Sequence, residues 1–511
     1  MTSLPLLSLA IFLPWLGAFV LALLPRLAPN TSRTLALGFS LTTLVLACML
    51  ISAFDPFAPG LQFVERHAWI PSLNVTYHLG LDGMSLLLVL LTGLVSPMAL
   101  LASRNVTRDV RALHLLFLLL QGAALGVFLA LDFFHWFIFW ELSLFPAFFL
   151  IKLWGGGSDK RGHAAATRAA YQFVIYTIGG SAFMLAGFAA LFATTGTLDF
   201  TQLAALRADG TLAAQLGGAW SWAIFGGVLL GLAVKVPLFP FHTWLPPAYA
   251  EAPTGVSMFL TGVMSKMGVY GFLRILWPLF PAELHAIATP LLWLALAGVV
   301  LGAVAALRQT DLKRMIAYSS INHLSYCLLA LFAVASATHP SAEAAASAFS
   351  GTLLQMFNHG LSAAALFYCV GLLETRNGGL RGVNDFGGVR TAMPVFAGLC
   401  GIAMFSSLGL PGLNGFVGEF LIFRGVWGLA PWAAAVATLG LLATALFLLT
   451  FWQRVFHGPQ RGAVSGFADL SKQEIAVLIP ATGLMFALGL MPQLLIGLFN
   501  PLITQWAASL P

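Results

Sequence analysis

Runs of about 20 mostly apolar residues, long enough for a helix to cross the hydrocarbon of a bilayer, recur fourteen times along this 511-residue chain. They lie near 3–24, 32–53, 81–103, 112–131, 133–153, 164–194, 214–236, 254–276, 284–306, 312–336, 346–373, 391–424, 431–453 and 473–499. A backbone inside lipid must satisfy its own polar groups, so such runs fold as helices. The expected fold class is an all-α integral membrane protein with about 14 transmembrane helices. Only 8% of residues are charged, against roughly a quarter in soluble domains, which excludes a soluble enzyme. The net charge of +6 never gathers into a basic run, so no nucleic-acid partner is expected. The first run lacks a positive flank and a small-residue cleavage site and reads as a retained span. Residues 198–209 space their apolar side chains as a surface helix does.

Lys and Arg concentrate in cytoplasmic connections. With the first connection placed inside, the inner set holds 18 of the 24 cations, from Arg26 and Arg33 through Arg104, Arg108 and Arg111 to Arg454, Arg461 and Lys472. Arg66, Arg207, Arg274 and Arg424 fall in outer connections. Both termini are thus expected on the periplasmic, outer face of a bacterial inner (plasma) membrane. Lys235 and Lys266 remain, and neither fits a connection. An ammonium at membrane depth costs about 2.5–3.5 kcal/mol even on the lenient insertion scale. The acids sort in the same way and leave Glu141 and Glu419 inside apolar runs.

Lys235 is followed by Pro237, Pro240, Pro246 and Pro247, each of which removes a backbone donor. The helix is expected to break over 237–247. In the second half, Leu408-Gly409-Leu410-Pro411-Gly412 predicts a second break over 405–415, just before Glu419. Irregular backbone at membrane depth survives only where protein or water lines it. Paired interruptions in corresponding halves point to inverted repeats around a midplane ion site. Desolvation and a nearby carboxylate act in opposite senses on a buried lysine's proton, which makes its protonation switchable. Glu141, Lys235, Lys266 and Glu419 are therefore the candidate proton-handling groups, with His242, His323 and His359 as relay support. Each has a bland alternative: a snorkelling lysine, a structural glutamate or a hydrogen-bonded core histidine. Cys48, Cys327, Cys369 and Cys400 sit singly in apolar stretches, without metal-ligand spacing, and read as small core residues. No metal or cofactor site is expected.

Several motifs resemble the antiporter-like subunits of respiratory complex I. They are Gly80-Leu81-Asp82-Gly83-Met84-Ser85, Trp140-Glu141-Leu142, Val236-Pro237-Leu238-Phe239-Pro240-Phe241-His242-Thr243-Trp244-Leu245-Pro246, Lys266-Met267-Gly268-Val269-Tyr270-Gly271, Ser320-Ile321-Asn322-His323, Asn358-His359-Gly360 and Gly418-Glu419-Phe420. Glutamate at 419, where related large subunits often carry lysine, is similar to the subunit M branch. Pro247-Ala248-Tyr249 departs from the family's usual Asp-Ala-His. The resemblance implies two inverted five-helix repeats and four regions: 1–110, 111–276, 284–454 and 455–511. It implies a proton-translocating subunit of an NADH:quinone oxidoreductase, itself without a redox site. FMN, iron-sulfur clusters and quinone would belong to partner subunits, and homologous antiporter-like subunits would be neighbours. It implies that Glu141, Lys235, Lys266 and Glu419 translocate protons, and the expected cycle makes Glu141 the switch, Lys235 the central proton holder, Lys266 and His323 the lateral relay and Glu419 the exit-side donor. A multisubunit Na+/H+ antiporter or a membrane-bound hydrogenase complex is the alternative assembly.

Overall fold

The computed structural model describes residues 4–58, 60–156, 160–508 and 510. Both chain ends, and the side chains of Lys160 and Arg161 among the expected inner cations, lie outside it. The helices in chain order are α1 (Leu6–Leu23), α2 (Pro29–Ala53), α3 (Gly83–Ala102), α4 (Val110–Leu129), α5 (Phe133–Trp154), α6 (Lys160–Thr195), the short α7 (Phe200–Ala208), α8 (Thr211–Lys235) and α9 (Leu245–Glu251). They continue with α10 (Thr254–Leu279), α11 (Ala288–Leu307), α12 (Leu312–Ser336), α13 (Ala342–Arg376), α14 (Pro394–Ser407), α15 (Asn414–Leu429), α16 (Pro431–Phe456), α17 (Lys472–Leu490) and α18 (Gln493–Ala508).

Among the described residues, 13 helices are long and apolar enough to cross a membrane. The remaining expected span, 391–424, is divided into α14 and α15, neither of which reaches that length alone. The surface helix expected over 198–209 is α7, capped by Asp199 through the backbone amides of Thr201 and Gln202. The least apolar spans, α10, α12 and α13, are also the most buried: 100, 94 and 100% of their central windows lie inside the protein. Polar side chains are costly against lipid, so the segments that carry them occupy the middle of the bundle. α2, only 28% buried, faces outward.

The all-α class holds, with one addition: Gln62–Ile70 (β1) and Val75–Leu81 (β2) form an antiparallel hairpin outside the spans. The hairpin serves the helices: Glu65 accepts hydrogen bonds from the backbone amides of Leu7 and Ser8 at the start of α1, where the helix dipole favours a carboxylate. Three expectations about single residues need correction. Arg274 is not in a connection but in the last turns of α10, 2.7 Å from Asp82. Arg424 lies within α15, paired with Glu343. In both cases an acid from another part of the chain, Asp82 at the cap of α3 or Glu343 in α13, compensates the cation, so the positional bias of loop charges does not apply. Cys48 is exposed, unlike the other three cysteines; in lipid an outward apolar position is as comfortable for a thiol as an inward one.

The hairpin is tied down by Asp199, which lies 2.8 Å from His78 Nδ1 and 3.0 Å from Arg66. Burial opposes its charge, but hydrogen bonds from His78 and Thr201, with the His78 charge, outweigh that and hold it at about 2. A depressed carboxyl stabilises the fold above its unfolded value of about 3.9 and loses that contribution as pH falls toward about 2. Asp199→Asn is expected to destabilise the purified protein by on the order of 2 kcal/mol at pH 7 and by progressively less between about pH 4 and 2. Thermal unfolding against pH checks this, and a pH-independent deficit would reject it.

Candidate proton-handling site

At the first break, Pro237 has no amide to offer the carbonyl of Ala233, and Leu238 donates to it instead at 2.9 Å. The carbonyl of Val234, freed at the helix end, accepts from the indole Nε1 of Trp244 at 2.9 Å. These two bonds let α8 stop at Lys235 inside the protein without stranding its last carbonyls. Val236–Trp244 is non-helical before the chain resumes as α9 at Leu245, so the break overlaps the expected 237–247 but starts one residue earlier and ends before Pro246 and Pro247, which fit the first turn of the new helix. Lys235 occupies the C-terminal turn, where the dipole favours a cation, and is 2% exposed. Its Nζ lies 4.9 Å from the centroid of Trp140 and has no hydrogen-bond partner among the described residues. Glu141 follows Trp140 and is within Coulombic reach of Lys235, but the two make no ion pair within 4.0 Å. Glu141 is only half-buried, with Leu142 and Phe145 exposed on the same helix. His242 is likewise half-buried, stacks on Phe239 at 5.1 Å and contacts none of the other candidates.

The second cluster is two hydrogen-bonded pairs set side by side. A π-helical turn at Leu260–Met264 precedes Lys266, a local widening often found at functional sites. Lys266 Nζ donates to Thr261 O at 2.5 Å and to Ser265 Oγ at 3.2 Å, and lies 2.9 Å from His359 Nδ1. The His359 and His323 rings are 5.1 Å apart. His323 Nδ1 is 3.0 Å from Glu419 Oε1. The four groups come from α10, α13, α12 and α15, so tertiary packing alone assembles them.

The second break shapes the acid end. α14 stops at Ser407, and Gly409 takes a φ of +79°. A Cβ at Gly409 would lie 2.9 Å from Glu419 Oε2, so glycine supplies both the turn and room for the carboxylate. His323, His359, Gln355, Ser406 and Glu419 line a small cavity with ≈ 10 Å³ of space for a water's centre, enough for about one water. His323 Nε2, His359 Nε2 and Gln355 Oε1 are buried there without a protein partner. Unpaired buried polar atoms are the places where ordered water binds.

The candidates thus form two groups: Lys235 with Glu141, and Lys266–His359–His323–Glu419. The helices carrying the two lysines touch, since a Cβ on Gly268 would fall 2.3 Å from a Val236 methyl, but no direct hydrogen bond joins them. Gln355 was not anticipated. It donates to Glu419 Oε1 at 3.2 Å, and its position four residues before His359, on the same helical face, was the available signal.

An ionic network was also missed. Arg381 pairs with Asp311 at 2.6 Å, Glu251 at 2.9 Å and Glu374 at 3.3 Å, and donates to Ala250 O at 2.7 Å. Lys313 pairs with Glu374 at 2.6 Å. Arg381 therefore joins the end of α9, which continues from the first break, to α12 and α13, which carry His323 and His359. Arg381→Gln leaves three carboxylates facing one lysine; its expected cost is about 2–4 kcal/mol, read as a lower unfolding midpoint, with Arg381→Lys intermediate. An unchanged midpoint would remove Arg381 as a brace.

Broken spans, an interior string of acids, bases and imidazoles, and a bundle with its least apolar helices innermost define the class of ion-translocating membrane proteins. Residues 130–446 match the family described as NADH:quinone oxidoreductase/Mrp antiporter, transmembrane. The NADH-quinone oxidoreductase subunit M of Rhodobacter capsulatus is 35% identical over 98% of this chain and 96% of its own length. A chain of respiratory complex I from Thermus thermophilus superposes with a TM-score of 0.85 at 29% identity, over 99% of this chain and 100% of that one. A chain of the Mrp complex from Dietzia sp. DQ12-45-1b, at 21% identity and a TM-score of 0.80 over 100% and 98%, shares the fold. The chain belongs to the NADH:quinone oxidoreductase/Mrp antiporter transmembrane family, which bears out the resemblance read from its motifs.

Proposed function

We propose that the chain is a proton-translocating membrane subunit of a proton-pumping NADH:quinone oxidoreductase, seated in a bacterial inner membrane with both termini on the periplasmic face. FMN, iron-sulfur clusters and quinone belong in this reading to partner subunits, and homologous antiporter-like subunits are its membrane neighbours. Regions 111–276 and 284–454 act as inverted repeats, flanked by 1–110 and 455–511. The observation that carries the reading is the Lys266–His359–His323–Glu419 string: Lys266–His359 and His323–Glu419 are at hydrogen-bond distance, within which protons transfer directly or through one water.

Unit charges a few ångströms apart inside a protein interact by several kcal/mol, enough to change a proton's occupancy by orders of magnitude. Half-buried Glu141 is placed to sense a charge on a neighbouring subunit, and its own charge acts on Lys235. Loading or releasing the Lys235 proton drives transfer through water to Lys266. From there the proton passes along His359 and His323 to Glu419, with Gln355 holding the carboxylate in line.

Purification in mild detergent tests the assembly. Flavin and iron-sulfur polypeptides are expected to accompany this chain, and vesicles holding the complex are expected to move protons on adding NADH. Sodium-dependent pH changes without NADH, from an assembly lacking those polypeptides, would assign the antiporter alternative instead.

A further inference from the structure

Where the start of α2 meets the end of α3 and the start of α4, a cavity of ≈ 260 Å³ opens at one boundary of the bundle. Asn30, Arg33, Thr34 and Leu37 recur at i, i+3, i+4 and i+7 on α2, one helical face, and line it together. Opposite stand Arg104, just beyond α3, and His114 in α4. Leu100 and Leu101 complete an apolar wall with Leu37 on the side toward the middle of the spans. No lining residue is acidic.

The charge in this cavity is uncompensated. Among the described residues neither Arg33 nor Arg104 belongs to an ion pair. Arg33 is held by neutral acceptors: Nη1 donates to Asn30 Oδ1 and Nη2 to Val106 O, both at 2.8 Å. Its Nε is buried without a partner. A guanidinium held in place by neutral acceptors and without a counter-charge is matched to a phosphate. The N-terminal turns of α2 and α4 lie at the same boundary and add their dipoles in the same sense.

We propose that this cavity is a binding site for an anionic phospholipid, with the headgroup phosphate between Arg33 and Arg104 and an acyl chain along Leu37, Leu100 and Leu101. The leucine wall selects a lipid over a free phosphate, because a soluble anion gains nothing from apolar surface reaching toward the hydrocarbon. The lack of any acid in the lining selects an anionic lipid over a zwitterionic one, whose own cation would face the two arginines.

The test uses the assembled complex in its native membrane, with photoactivatable phosphatidylglycerol and phosphatidylcholine as probes. Peptides covering residues 30–37 and 100–114 are expected to be labelled by phosphatidylglycerol, about tenfold less in Arg33→Gln/Arg104→Gln and weakly by phosphatidylcholine. Millimolar inorganic phosphate is expected not to compete. Equal labelling by the two lipids, or labelling unaltered in the variant, would overturn the proposal. Displacement by inorganic phosphate would assign a soluble-anion site instead and overturn it as well. Should the double variant fail to assemble, the comparison of the two probes on the unaltered complex decides alone.

Discussion

Lys235→Met is expected to abolish NADH-driven proton pumping while NADH oxidation by an artificial acceptor continues. Methionine keeps an unbranched chain of similar length, and the site loses an ammonium that has no hydrogen-bond partner among the described residues. Packing against Trp140 survives, since the ring accepts a thioether about as readily as a cation. Assembly is therefore expected to be close to normal. The variant loses the charge next to the first break, and with it the group through which Glu141 is proposed to act. A general acid–base group of this kind is worth roughly a hundredfold or more, so the loss stands well outside measurement scatter. Quenching of a pH-sensitive dye in vesicles, normalised to complex content, is the measurement. Normal pumping by a normally assembled Lys235→Met complex would remove Lys235 from the pathway and leave only the α10–α15 string.

The central lysines and Glu419 are legible in sequence because a charge inside hydrocarbon is costly and so stands out against an apolar run. The breaks are legible because proline and glycine punctuate helices whatever surrounds them. Gln355 leaves no such mark, being neutral within a span that already contains Asn358 and His359. The Arg381 brace hides for the opposite reason: at span ends charges are common, and orientation alone accounts for their presence. Only the fold brings Glu251, Asp311 and Glu374 to one guanidinium. Arg274 was misplaced on the same ground, since its partner Asp82 is 192 residues away in sequence. The hairpin was within reach. Val75, Tyr77, Leu79 and Leu81 alternate with Thr76, His78 and Gly80, a strand's period of two, but hydropathy summed over spanning lengths averages it away. The grouping of the candidates into a pair and a string was not legible, because which helices adjoin is a property of packing.

Glu419→Gln is expected to lower pumping by roughly tenfold or more with the complex intact, because the amide still fills the site beside His323 and Gln355 but cannot take up a proton. The turn that faces this carboxylate allows a sharper test, one that leaves Glu419 itself unchanged. Gly409 and Gly412 both adopt positive φ, +79° and +93°, so alanine at either position bears a similar backbone penalty of about 1–2 kcal/mol. They differ in surroundings. A Cβ at Gly412 meets nothing within 4 Å, whereas one at Gly409 would sit 2.9 Å from Glu419 Oε2. Gly409→Ala must push Glu419 Oε2, and a displacement of a few tenths of an ångström is expected to disturb the 3.0 Å contact of Oε1 with His323. Both variants are expected to lose similar thermal stability, but only Gly409→Ala is expected to lose pumping, because hydrogen-bonded proton transfer is steep in distance. If the two variants pump equally, the position of the Glu419 carboxylate against His323 is not what the second break serves, and the string must end before it.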